Sequence, residues 1–163
     1  MTFEIEPGAA VGPLHFGMSI RNARAALAEP LKALGRGWAI QRSFLKDARR
    51  DGVPVDDVAD LGLHLHYRVR GERVVLVAVE MFPPAAPVLR GVSLLADSFA
   101  SVKELLLRLD PTALTEDSEV RSLALGVAVA GPAGDEPDAP AGSAFAFEPG
   151  YWDVPLAPAV PRA

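Results

Sequence analysis

Leu61-Gly62-Leu63-His64-Leu65-His66-Tyr67-Arg68-Val69 decides the fold, because its side chains alternate strictly. Leu61, Leu63, Leu65, Tyr67 and Val69 point one way, and Gly62, His64, His66, Arg68 and Arg70 point the other. A period of two is that of a half-buried β-strand and not of a helix. Gly71-Glu72 then reads as a two-residue hairpin turn, and the valine-rich run Arg73 to Phe82 returns as the next strand.

Before this hairpin, Ser19 supplies a helix N-cap, and Ile20, Ala23, Leu27, Leu31 and Leu34 follow at helical spacing. Pro30 predicts an end or kink near Glu29, and Gly35 and Gly37 a stop. Trp38 to Phe44 alternates as a strand would, and the charged stretch Lys46 to Asp60 is expected as a loop. Beyond the hairpin, Pro83, Pro84 and Pro87 predict a break in the sheet.

A second helix is then expected, capped by Asp97 or Ser98 and striped by Val102, Leu105, Leu106 and Leu109. Leu123 to Ala130 reads as a strand with a bare face of Ala124, Gly126, Ala128 and Ala130. Gly131 to Gly142 is a loop by composition, Ala144 to Glu148 the returning strand, and the proline-bearing tail from Val154 a frayed end.

The second half echoes the first. Phe16 to Leu27 lays over Leu95 to Leu106 with serine on serine, and Leu61-Gly62-Leu63 over Leu125-Gly126-Val127. The expected fold class is therefore α+β, with two related halves, each a helical segment packed on an antiparallel sheet. The halves are placed at 1–82 and 93–153, with a Pro-rich junction at 83–92 and a tail at 154–163. Ile20, Leu27, Leu63, Leu65 and Val77 are expected in the first core, and Val102, Leu106, Val127, Phe145 and Phe147 in the second.

Composition narrows the function classes. The chain has 163 residues, half of them hydrophobic, and a net charge of −5. It lacks the cationic field needed to neutralise nucleic-acid phosphates, so a protein partner, a basic one for preference, is expected in place of DNA or RNA. There is no cysteine, which removes disulfides and thiolate chemistry and fits a reducing compartment. With no signal peptide at the start and no apolar run of about 20 residues, the expectation is a cytoplasmic protein without a membrane span. Oligomeric state is not legible.

No motif demands catalysis. There is no Gly-x-Ser-x-Gly elbow and no phosphate-binding glycine loop, and Ser19 and Ser98 are explained as caps. His64 and His66 share one strand face and would make a zinc site, and a small metal-dependent hydrolase, if His15 or Glu80 converged on them. Strand alternation already accounts for their direction, so the expectation is two solvent-facing histidines and no metal or other cofactor. Glu80 and Glu148 end equivalent strands as carboxylates paired by duplication. Tyr151-Trp152-Asp153 is the densest aromatic group, suited either to a protein interface or to sealing the second core.

Gly12-Pro13-Leu14-His15-Phe16-Gly17-Met18-Ser19 followed by an amphipathic helix resembles the opening of the small α+β domains of the outer-membrane assembly lipoprotein and β-lactamase inhibitory protein superfamily. That likeness implies a Gly-Met-Ser turn capping a helix on an antiparallel sheet, two such units in tandem, and binding in place of catalysis. The second copy departs from it with Ala96-Asp97-Ser98, and the inhibitor's disulfides have no counterpart. The chain also resembles cytoplasmic immunity-type proteins of unassigned role.

The expected function is a non-catalytic protein-binding module of immunity or inhibitor type, acting through an exposed sheet face with His64, His66, Arg68, Tyr151 and Trp152. The alternatives are the metal-dependent hydrolase using His64 and His66, and a structural or small-ligand-binding domain.

Overall fold

The computed structural model describes residues 1–35, 40–44, 54–116, 118–134 and 136–153. Trp38, the segment from Lys46 to Gly52 and the tail from Val154, on which readings were offered above, lie outside the described residues.

The chain opens with three short strands, β1 (Thr2–Glu6), β2 (Ala10–Val11) and β3 (Leu14–His15). Helices α1 (Ile20–Ala26) and α2 (Ala28–Ala33) follow, then the strands β4 (Gln41–Phe44), β5 (Pro54–Val58), β6 (Leu63–Arg70) and β7 (Arg73–Met81). The order then recurs: β8 (Ala86–Leu89) and β9 (Val92–Ser93), helix α3 (Phe99–Leu109), and the strands β10 (Leu114–Glu116), β11 (Glu119–Ser122), β12 (Val127–Ala130) and β13 (Ser143–Phe147). The fold is α+β.

The strands form two sheets. The smaller runs β3-β2-β1-β8-β9, with β1 and β8 parallel, and the larger runs β10-β11-β12-β13-β7-β6-β5-β4. Two four-strand meanders thus meet through their last strands, with Met81 opposite Ala144 and Ala78 opposite Phe147. The sheet is continuous through both.

Equivalent local chemistry sets each meander. The Ser19 hydroxyl accepts the Asn22 N–H and the Ser98 hydroxyl accepts the Ser101 N–H, each at 3.2 Å, satisfying an amide that a helix start leaves open. Gly62 and Gly126 precede β6 and β12 at φ +68° and +66°. A Cβ would lie 2.0 Å from the Phe82 carbonyl oxygen at Gly62 and 2.3 Å from that of Phe147 at Gly126. Only glycine fits.

Several expectations are corrected. The helix breaks at Leu27 and not near Glu29, since proline cannot sit deep in a helix; restarting at Ala28 places Pro30 in a first turn, where its missing N–H costs nothing. Pro54–Val58, expected within a loop, is a strand, because buried Asp56 meets a partner far away in sequence. Pro87 stands inside β8, so the junction carries a strand of the smaller sheet. Leu123 to Gly126 turns between β11 and β12 in place of extending a strand.

The two expected cores are one. Phe3, Val11 and Leu14 of the smaller sheet, Leu27 and Leu31 of the first helices, Val102 and Leu106 of α3, and Leu63, Leu65, Val127 and Val129 of the larger sheet share a continuous cluster. Val77, Phe145 and Phe147 are not in it. They belong to a second cluster on the opposite face of the larger sheet. Central strands are buried on both sides, so the large residues of β13 do not mark the helix-covered face; Ala144 and Ala146 do. Val69 at the hairpin end is exposed.

Candidate functional site

The sheet face away from the helices gathers most of the candidate residues. Register places Arg121, Ala128, Phe145, Glu80, His64 and Asp57 side by side across six strands, from β11 to β5. Phe147, Ala78, His66 and Val55 form the next row. A bulge at Val77, skipped where Ala78 faces His66 and Leu76 faces Tyr67, puts Val77 and Ala78 on this same face. Strand β7 buries the unbroken run Val75 to Val79.

The turn after β13 folds back over these rows. Tyr151 is buried, and Trp152 is half-buried. Trp152 meets Phe145 and Phe147 at ring-centroid distances of 6.2 and 5.9 Å and Tyr151 at 5.1 Å, all edge-on, the favoured aromatic geometry. The Arg121 guanidinium lies over the Trp152 ring, 4.3 Å from its centroid. Arg121 and Phe145 flank Ala128, and Trp152 occupies the room that this small residue leaves. The face read as bare from Leu123 to Ala130 is covered at Ala128 by the chain's own tryptophan.

Charges ring the aromatic group. Arg68 Nη2 donates to the Tyr151 carbonyl at 3.0 Å, and its guanidinium carbon lies 5.1 Å from the Tyr151 ring centroid. Arg70 pairs with Glu148, which is buried, and Arg121 with Glu119. Glu148 is thus bound to an arginine and not coupled to Glu80.

The histidines part company. His64 is half-exposed, with Nδ1 3.3 Å from Glu80 Oε2 and Nε2 3.5 Å from Asp57 Oδ1. His66, expected to face solvent, is 5% exposed. Its ring packs edge-on against Phe145 at 5.3 Å, and its Nε2 lies 3.7 Å from Glu80 Oε2. The aromatic cover over β13 buries it, which alternation on β6 alone could not reveal. Hydrogen bonding to His66 first, then the positive charge of both imidazoles, holds the Glu80 carboxyl below its ordinary value against the opposing effect of burial. Among the described residues no group of three or more His, Asp or Glu side chains is arranged to hold a metal ion. His15 stands on β3 in the smaller sheet, apart from the pair.

Alternation along Glu119-Val120-Arg121-Ser122 is the signal that would have found Arg121, and the same period in β5 would have found Asp57.

On the helix side, Arg24 Nε and Nη2 donate to the two Asp56 oxygens at 2.9 and 2.6 Å, and the Tyr67 hydroxyl donates to Asp56 at 2.9 Å. This fork ties α1 to the back of the sheet. A cleft of about 450 Å³ lies beside α3, lined by Phe99, Lys103, Leu107, Pro132 and Pro137. The Phe99 and Ala100 N–H groups at the helix start are taken by the Ala139 and Pro137 carbonyls, so the cleft offers no amide pair to an anion. Among the described residues no helix is long and apolar enough to cross a membrane. Comparison of the chain with family models, curated proteins and solved structures gave no match.

Proposed function

We propose that the chain is a non-catalytic protein-binding module of inhibitor or immunity type, with the open face of its eight-stranded sheet as the binding surface. The observation that carries this reading is Trp152: half-buried on an aromatic bed, gripped by Arg121, and packed on Tyr151, whose carbonyl is held by Arg68. Rigid aromatics and arginines that need no further ordering are the side chains that dominate binding energy at interfaces. The matched strand order of the two meanders supports the tandem plan. Cytoplasmic residence remains part of the proposal.

The metal-dependent hydrolase is the less favoured reading: Glu80 does approach both histidines, but His66 is covered, and among the described residues no group of three or more such side chains is arranged to hold a metal ion. The test is capture of partners from native lysate by the wild-type chain and by Arg68→Ala with Trp152→Ala, each shown folded by its circular dichroism melt. Partners identified by mass spectrometry should be lost with the double variant. Equal capture by a folded double variant would refute the placement of the surface.

A further inference from the structure

Within the proposed binding face, one half-buried arginine among the described residues is left over. Arg70 is answered by Glu148 and Arg121 by Glu119. Among the described residues no carboxylate lies within salt-bridge distance of Arg68, whose partners are the Tyr151 carbonyl and ring. Arg68 is half-buried, and both burial and the nearby Arg70 charge weigh against its cation. Retaining an unanswered cation there is costly unless an anion completes it.

The geometry is already arranged for that anion. One Nη is held by the carbonyl and the guanidinium lies against the ring, so part of the rotamer cost of receiving an anion is already met. A planar fork of this kind matches the two oxygens of a carboxylate. A polyanion fits poorly: Glu80, Glu119 and Glu148 share the face, and the net charge is −5. A single carboxylate set among apolar groups meets Arg68 and the aromatic bed without approaching the acids in series. The net charge still steers a basic protein from a distance, while the contact at Arg68 takes an acid.

We propose that Arg68 is the receptor for an aspartate or glutamate side chain of the protein partner, received beside the Tyr151–Trp152 aromatic bed. This rests on the reading that the open sheet face binds a protein. The probe is a random-peptide display library panned on the folded wild-type chain, with selected peptides then synthesised. Enrichment of Asp or Glu next to apolar residues is expected. Affinity should fall about 30-fold with Arg68→Gln, and by a similar factor when the peptide's acid is changed to its amide, with no further loss when both changes are combined. Arg68→Lys, which keeps the charge and loses the fork, should fall in between. Peptides that need Trp152 but ignore both Arg68→Gln and the acid-to-amide change would overturn the carboxylate receptor and leave the face standing. Peptides indifferent to Trp152→Ala and Arg68→Gln alike would overturn both.

Discussion

Replacing Asp56 with alanine should destabilise the protein more than any single change on the open face. Asp56 is fully buried and accepts both nitrogens of the Arg24 fork and the Tyr67 hydroxyl, so the substitution removes the acceptor of all three bonds at once. Breaking a buried pair from one side costs about 3–5 kcal/mol. The Arg24 side chain is 30% exposed and regains some water, which favours the lower end, about 3 kcal/mol. For a chain of this length that is a fall of about 6–12 °C in melting temperature. Urea unfolding at pH 7 gives the free energy directly. Arg24→Met, which leaves the fully buried Asp56 carboxylate without its guanidinium, should cost at least as much, and combining the two should cost less than the sum, since each variant already forfeits the same bonds. A loss below about 1 kcal/mol for Asp56→Ala, or strict additivity, would refute the view that this fork holds α1 on the sheet.

Gly126→Ala should destabilise by about 1–3 kcal/mol from its left-handed backbone alone, and by more because a Cβ would crowd the Phe147 carbonyl. Gly17→Ala, at φ +91° with open space around it, is the matched control in chemical denaturation. Glu80→Gln should lower stability at neutral pH. The folded Glu80 pKa is depressed, so its contribution is present above the ordinary value of 4.5 and lost as pH falls through the folded pKa; the gap between wild type and variant should close below pH 4.5, and a widening gap would contradict the sign. His66→Gln should lower the melting temperature because its ring is packed on Phe145, whereas His64→Gln should change stability by less than about 0.5 kcal/mol. Residues 1–82 or 83–153 expressed alone should show no cooperative melt, since one core is shared by both; an independent cooperative melt for either piece would count against the shared core.

How much could be read beforehand depended on how local the cause was. Leu63, Leu65 and Tyr67 announce their face because a strand's period is set by its own backbone. The serine caps were legible because their partners stand three residues away. Strand β5 was not, since what lets Asp56 enter the core is Arg24, 32 residues earlier. The histidines and Arg68 were rightly placed on one face of β6, yet the burial of His66 comes from Phe145 on another meander. The same non-local cover misassigned Phe145 and Phe147, and only the folded-back turn gives Arg121, which alternation places on this face, its tryptophan partner.

The pairing of β7 with β13 also orders events in time. Met81 acquires its neighbour only when Ala144 arrives, so the valine-rich strand at the centre of the finished sheet begins as an edge. An emerging chain carries that hydrophobic edge unpaired while the whole second meander is made, the kind of strand on which other chains add. Long-range closure of this sort also slows folding. The final strand and the aromatic turn behind it therefore act as a late clasp, closing the edge and completing the open face in one step.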